Sequence, residues 1–131
     1  MKKVVAVDFD GFLTSFGPTG RLKLPGFIYF LFLLIFNPKP NFDNFEIVEK
    51  LKDCGFRVVV LSARPELTRS LTKKWLDFYE LEVDEIVLVG PGKVEEKKLS
   101  VIIDKEISYY FGDSLATINY LKGEGVSAFK C

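Results

Sequence analysis

The sequence contains no histidine among its 131 residues. This absence excludes Ser-His-Asp and Cys-His catalysis and most zinc sites, because each of them depends on an imidazole ring. Any chemistry must therefore come from carboxylates, lysines, hydroxyls and backbone amides.

Cysteine and long apolar runs are also scarce. Cys54 and Cys131 lie far apart without metal-ligand spacing, so we expect two free thiols in a reducing cytoplasm. The apolar segment 27–36 (FIYFLFLLIF) has ten residues, whereas a membrane-spanning helix needs about 20. The N-terminal stretch lacks the pattern of a signal peptide. We predict a cytoplasmic chain without a transmembrane segment.

An excess of charge of one sign is missing as well. Eighteen basic residues balance eighteen acidic ones, so no overall field attracts nucleic acid or an anionic membrane. Local groups must hold any anionic substrate. The length and the 48% apolar content exclude disorder and indicate a single domain over residues 1–131.

Apolar runs alternate with helical patterns along most of the chain. This alternation predicts a three-layer α/β sandwich around a parallel sheet. The predicted strands span 3–7, 57–61, 85–89, 108–111 and 126–129, and the predicted helices span 42–54, 66–79, 94–104 and 115–122. In the second helix the spacing predicts a core stripe of Leu67, Leu71, Trp75 and Phe78. Residues 12–41 interrupt the alternation and are interpreted as an insertion.

Polar residues follow three of the predicted strands. DFDG (8–11) follows the first strand, SAR (62–64) the second and GDS (112–114) the fourth. Ligands of open α/β sheets bind beyond the carboxyl ends of the strands. The three segments are therefore predicted to meet at one site.

Asp8 and Asp10 are one pleat apart, so their carboxylates leave the strand end on the same side. Such a pair repels unless one group is protonated or a cation lies between them. Mg²⁺ suits oxygen ligands, and Asp113 offers a third carboxylate. One carboxylate then attacks phosphorus, and the other acts as acid and base. Ser62 and a lysine are predicted to bind the phosphoryl oxygens.

The segments DFDGFLTS, VVLSARP and YYFGDS resemble motifs one, two and four of the haloacid dehalogenase superfamily. They are most similar to those of small phosphatases of the class B acid phosphatase and polynucleotide 3'-phosphatase kind. The resemblance covers 1–11 and 42–131, and it implies a Rossmann-like sheet of order 5-4-1-2-3. It also implies that Asp8 is the nucleophile and Asp10 the general acid/base. Mg²⁺ would be held by Asp8, Asp113 and the backbone carbonyl of Asp10.

The resemblance further calls for a lysine as motif three. Lys98 has the spacing to the GDS segment seen in the class B pattern, and Lys93, after a Gly-Pro-Gly turn, is the alternative, with Lys97 also present. Gly11, Ala63, Arg64 and Lys93 are assigned to substrate binding. Two other readings stay open: Ser62 caps the following helix, or Arg64 pairs with a surface carboxylate.

The predicted function is Mg²⁺-dependent hydrolysis of a phosphomonoester on a small metabolite or nucleotide, through an aspartyl phosphate. The insertion would form a flap or minimal cap. Three readings stay open for segment 27–36: it contacts another copy of the chain or packs across the sheet edge, it forms a lid that favours an apolar or aromatic substrate, or it contacts a membrane surface. A nucleic-acid end phosphatase is a second hypothesis. A binding or assembly protein is the third, because Phe12 and Thr117 replace residues usual in the family's motifs.

Overall fold

The computed structural model describes residues 3–14 and 39–130. The five strands of this part of the chain are β1 (Val4–Val7), β2 (Arg57–Ser62), β3 (Glu85–Leu88), β4 (Ile107–Gly112) and β5 (Ser127–Lys130). Its helices are α1 (Phe42–Asp53), α2 (Arg69–Phe78), α3 (Val94–Asp104) and α4 (Leu115–Gly123). A single 3₁₀ turn, Glu66–Thr68, precedes α2. None of these helices has the length and apolarity needed to span a membrane.

The strands form one parallel sheet in the order β3-β2-β1-β4-β5. The predicted order, 5-4-1-2-3, is the same sheet read from the other edge and is confirmed. The central strand β1 pairs with β2 on one side and with β4 on the other. The residues that follow these three strands therefore emerge next to one another at the carboxyl edge.

Alternating side chains bury both faces of the sheet, as the three-layer prediction requires. One core lies between the sheet and helices α1 and α2; its buried residues include Val5, Val7, Val58, Val60, Phe45, Val48, Trp75 and Leu76. The other lies against α3 and α4; its residues include Ala6, Leu61, Tyr110, Ala128, Ile102, Ile118 and Leu121.

The predicted apolar stripe of the second helix is wrong in part. Trp75 is buried, but Leu67 is 82% exposed and Phe78 is 73% exposed. Leu67 falls in the 3₁₀ turn, outside the α-helix, and the buried face contains Thr68 and Thr72. The prediction counted only apolar residues, so it missed that threonines contribute to the buried face of this helix.

The two ends of the insertion are held together. Phe12 and Leu13 are buried in the core, and Thr14 forms an antiparallel bridge with Pro40. The amide of Asn41 donates to the Leu13 carbonyl at 2.8 Å. The predicted flap and the apolar segment 27–36 lie outside the described residues.

Candidate active site

Asp8 follows the last residue of β1 and is buried at the carboxyl edge of the sheet. Its Oδ1 accepts a hydrogen bond from the Phe9 amide at 2.8 Å, and its Oδ2 lies 3.4 Å from the Lys98 ammonium. Burial raises the pKa of the Asp8 carboxyl; Lys98 opposes this rise and the charge of Asp10 adds to it. A carboxylate held in this way is close to a countercharge but poorly solvated.

Gly11 occupies a tight turn over Phe9–Leu13, which the Thr14 amide closes on the Phe9 carbonyl at 3.1 Å. Its φ is +87°, a conformation that favours glycine. A Cβ on Gly11 would lie 2.8 Å from the Asp113 Cβ. Glycine thus allows the turn after β1 to contact the residue that follows β4.

The carboxylate of Asp10 faces Arg64. Nε and Nη2 of Arg64 donate to the two carboxylate oxygens, each at 3.1 Å. Nη1 donates to the Thr72 hydroxyl at 3.2 Å, and the guanidinium carbon lies 4.1 Å from the centre of the Phe9 ring. Arg64 is buried, so the alternative of a surface ion pair is wrong. This guanidinium fixes the orientation of Asp10.

Ser62 is the last residue of β2 and is buried. Its Oγ accepts a hydrogen bond from the Arg64 amide at 3.2 Å. The following 3₁₀ turn and α2 have no side-chain cap, so Ser62 does not cap that helix. Ala63 lies half-buried between these two residues. A serine hydroxyl that accepts one bond can also donate its proton, here to an incoming oxygen.

The three candidate lysines occupy different places. Lys98 is buried, and its ammonium contacts Asp8 at 3.4 Å and donates to the Tyr110 hydroxyl at 2.8 Å. Lys97 donates to the carbonyls of Val89 and Pro91 at an exposed position. Lys93 is exposed, directly before α3, with a left-handed φ of +49°. Of the three, Lys98 contacts the predicted nucleophile.

The three carboxylates predicted to bind a metal do not all group as ligands. Within residues 3–14 and 39–130, no three acidic or cysteine side chains group as metal ligands, and the Asp10 carboxylate is engaged by Arg64. Asp113 is exposed and lies against the turn after β1, where a Cβ on Gly11 would be 2.9 Å from its Oδ2. The carboxylates of Asp8 and Asp113 with the carbonyl of Asp10 are hard oxygen donors. Their chemistry fits Mg²⁺.

Sequence reasoning missed Tyr110 and Glu95. Tyr110 is buried beneath Gly112, and its hydroxyl accepts the bond from Lys98. Thr117, a departure from the family pattern, is buried and directs its hydroxyl at Glu95 over 3.4 Å. The alternation within β4 was a usable signal, because it places Tyr110 and Gly112 on the same face of the sheet.

No protein-family model and no curated protein sequence matches this chain. Solved structures do. A chain of the Pnkp1/Rnl/Hen1 RNA repair complex matches with a TM-score of 0.79 and 18% identity over 100% of this chain and 42% of its own length. A second structure of that complex gives a TM-score of 0.78, 17% identity, and shares of 100% and 46%. This chain thus spans less than half the length of either match.

Two further structures match nearly their whole length. The HAD domain of the effector protein Lem4 from Legionella pneumophila has a TM-score of 0.60 at 15% identity, covering 99% of this chain and 85% of its own. A Had-superfamily hydrolase from Ehrlichia chaffeensis has a TM-score of 0.58 at 14% identity, with shares of 98% and 92%. The chain therefore has the fold of the haloacid dehalogenase superfamily, which its sequence motifs already indicated.

Proposed function

We propose that the protein is a phosphomonoester hydrolase with Asp8 as nucleophile and Asp10 as general acid/base. The observation that carries this proposal is the placement of the Asp8 carboxylate. It lies at the end of the central strand, 3.4 Å from the buried Lys98 ammonium, in the turn where Arg64 orients Asp10. An oriented nucleophile beside an oriented proton carrier is the arrangement that covalent phosphoryl transfer requires.

In the first step an oxygen of Asp8 forms a bond to phosphorus while the bond from phosphorus to the leaving oxygen breaks. Asp10 gives its proton to that oxygen, which leaves as an alcohol. Asp8 then carries the phosphoryl group as an acyl phosphate, and Asp10 is a carboxylate. The bidentate contact with Arg64 orients Asp10 in its carboxylate form, and one of its oxygens must carry a proton before the first step.

In the second step water attacks phosphorus and Asp10 takes up a proton from that water. The bond between phosphorus and Asp8 breaks, so inorganic phosphate leaves and both carboxyls return to their starting states. Lys98 and the Ser62 hydroxyl would bind the phosphoryl oxygens, where negative charge shifts during both steps. Arg64 would act on substrate through Asp10, and Gly11, Ala63 and Lys93 are proposed to bind the substrate.

Mg²⁺ would be held by Asp8, Asp113 and the carbonyl of Asp10, and when bound it would keep Asp8 ionised and neutralise phosphate charge. The proposed substrate is a small phosphorylated metabolite or a nucleotide, and the proposed compartment is the cytoplasm.

Removal of a terminal phosphate from a nucleic acid is a second candidate. The likeness to chains of an RNA repair complex supports it, whereas the zero net charge favours the small substrate. A binding or assembly protein built on the apolar segment 27–36 is the third.

The test compares the wild type with Asp8→Asn, with and without Mg²⁺. The substrates are p-nitrophenyl phosphate, a panel of nucleotides, and DNA and RNA oligonucleotides with 3'- or 5'-phosphates. We expect metal-dependent turnover that Asp8→Asn abolishes and that the exposed control Asp53→Asn retains. Turnover of oligonucleotides alone would favour the second candidate. Absence of turnover on every substrate would refute the proposed hydrolase.

A further inference from the structure

Tyr110 lies beneath the proposed site, on the sheet face covered by α3 and α4. Its hydroxyl accepts a hydrogen bond of 2.8 Å from the Lys98 ammonium, which also lies 5.2 Å from the centre of the Tyr110 ring. Lys98 therefore has two contacts with different partners: a short one with a neutral hydroxyl and a longer one, 3.4 Å, with the Asp8 carboxylate.

This order of distances is unusual for a buried ammonium. Charge-assisted bonds between an ammonium and a carboxylate are normally about 2.7–2.9 Å long, so attraction alone would draw Lys98 closer to Asp8. A shorter contact with the hydroxyl indicates that Tyr110 holds the ammonium back. The carboxylate then has a countercharge nearby and keeps a lone pair that the ammonium does not occupy.

We propose that Tyr110 is a positioning residue whose hydroxyl sets the distance between Lys98 and the nucleophile Asp8. This inference rests on the proposed function, because it concerns how the same nucleophile stays both neutralised and reactive. Tyr110 would act through Lys98 and would not touch the reacting phosphorus.

Two neighbouring features suit this role. A Cβ on Gly112 would lie 2.8 Å from Cε1 and 2.9 Å from the hydroxyl oxygen of Tyr110, so the glycine of the GDS segment makes room for the ring. Burial raises the pKa of Tyr110 far above its usual value, and the charges of Asp8 and Glu95 add to this rise. The phenol therefore stays neutral and accepts the bond from Lys98.

The variant Tyr110→Phe removes the hydroxyl and keeps the ring. With p-nitrophenyl phosphate we expect kcat/KM to fall about tenfold to a hundredfold. Most of the loss should appear in kcat, because Lys98 moves onto the oxygen that must attack. In a Lys98→Met background Tyr110→Phe should lower kcat/KM by about twofold or less.

Tyr109→Phe is the matched control, because it removes a hydroxyl from the adjacent residue of β4, whose ring packs against Phe56 and Phe129 on the opposite face. We expect little change in kcat or KM. A loss for Tyr110→Phe no larger than for this control would overturn the proposal, as would an equal loss with and without Lys98.

A second readout does not depend on activity. Urea unfolding of the wild type, both single variants and the double variant forms a double-mutant cycle. Tyr110→Phe should raise the unfolding equilibrium constant about tenfold when Lys98 is present and about twofold or less in the Lys98→Met background. Additive effects would refute the coupling. Should the wild type prove inactive, the proposed function would fail, and this cycle would still decide whether Tyr110 holds Lys98.

Discussion

Replacing Arg64 by methionine isolates the contact that orients Asp10. Methionine keeps an unbranched apolar side chain over the Phe9 ring, but it cannot make the two hydrogen bonds to the carboxylate or the one to Thr72. The arginine side chain is 3% exposed and that of Asp10 is 9% exposed. Water therefore has little access to replace the lost donors.

The expected loss of stability follows from this burial. Removing one partner of a buried ion pair costs about 3–5 kcal/mol of unfolding free energy, because the remaining charge loses its countercharge. In an Asp10→Asn background residue 10 carries no charge. The loss of unfolding free energy caused by Arg64→Met should therefore be about 1–3 kcal/mol smaller than in the wild type. Since general acid/base catalysis contributes about 10²–10⁴-fold, kcat/KM should fall at least about a hundredfold in Arg64→Met.

Urea unfolding and initial-rate kinetics measure the two effects. Arg69→Met is the matched control. Arg69 pairs with Glu66 at an exposed position, and exposed ion pairs contribute little to stability. We expect a clearly smaller change in stability and none in kcat/KM. A loss for Arg64→Met that equals the loss for Arg69→Met would refute the reasoning, since the Asp10 contact would then have no special value.

Two further predictions concern the turn after β1. Burial raises the pKa of Asp8 above the ordinary 3.8. Between pH 3.8 and this raised pKa the folded state keeps a proton that the unfolded chain releases. The free energy of unfolding should therefore fall as the pH rises through this range. Without metal, the stability of Asp8→Asn relative to wild type in urea should therefore increase as the pH rises from 3.8 towards 7; a difference independent of pH would contradict the assignment. Gly11→Ala should lower both stability, by about 1–2 kcal/mol, and kcat/KM, by about tenfold or more, because the new Cβ meets Asp113. Gly55 has a φ of +93°, and a Cβ added there would have no neighbour within 4 Å among the described residues. Gly55→Ala should therefore lower stability alone, and equal activities of the two variants would rule out the proposed contact.

Much of the fold follows directly from local sequence. The run RVVVL (57–61) reads as a buried strand, and the structure extends it by one residue, Ser62. The helix over Val94–Asp104 has the predicted bounds. Strand order comes from the family resemblance rather than from any local pattern, because parallel pairing joins residues far apart in the chain.

The site was predictable where it depends on strand ends. Asp8, Ser62 and Asp113 lie at the carboxyl ends of three neighbouring strands, so the topology alone brings their backbones together. The lysine was not decided by spacing, although Lys98 lies one helical turn from the buried Ile102 and shares its face. The bond between Arg64 and Asp10 links residues 54 positions apart and depends on side-chain rotamers, which no local pattern specifies.

The bridge between Thr14 and Pro40 has a consequence for how this domain can vary. The segment 15–38 is inserted between these two bridged residues. Changes in its length therefore need not disturb the register of the sheet or the positions of Asp8 and Asp10, because loop length alone alters the closure entropy only slowly.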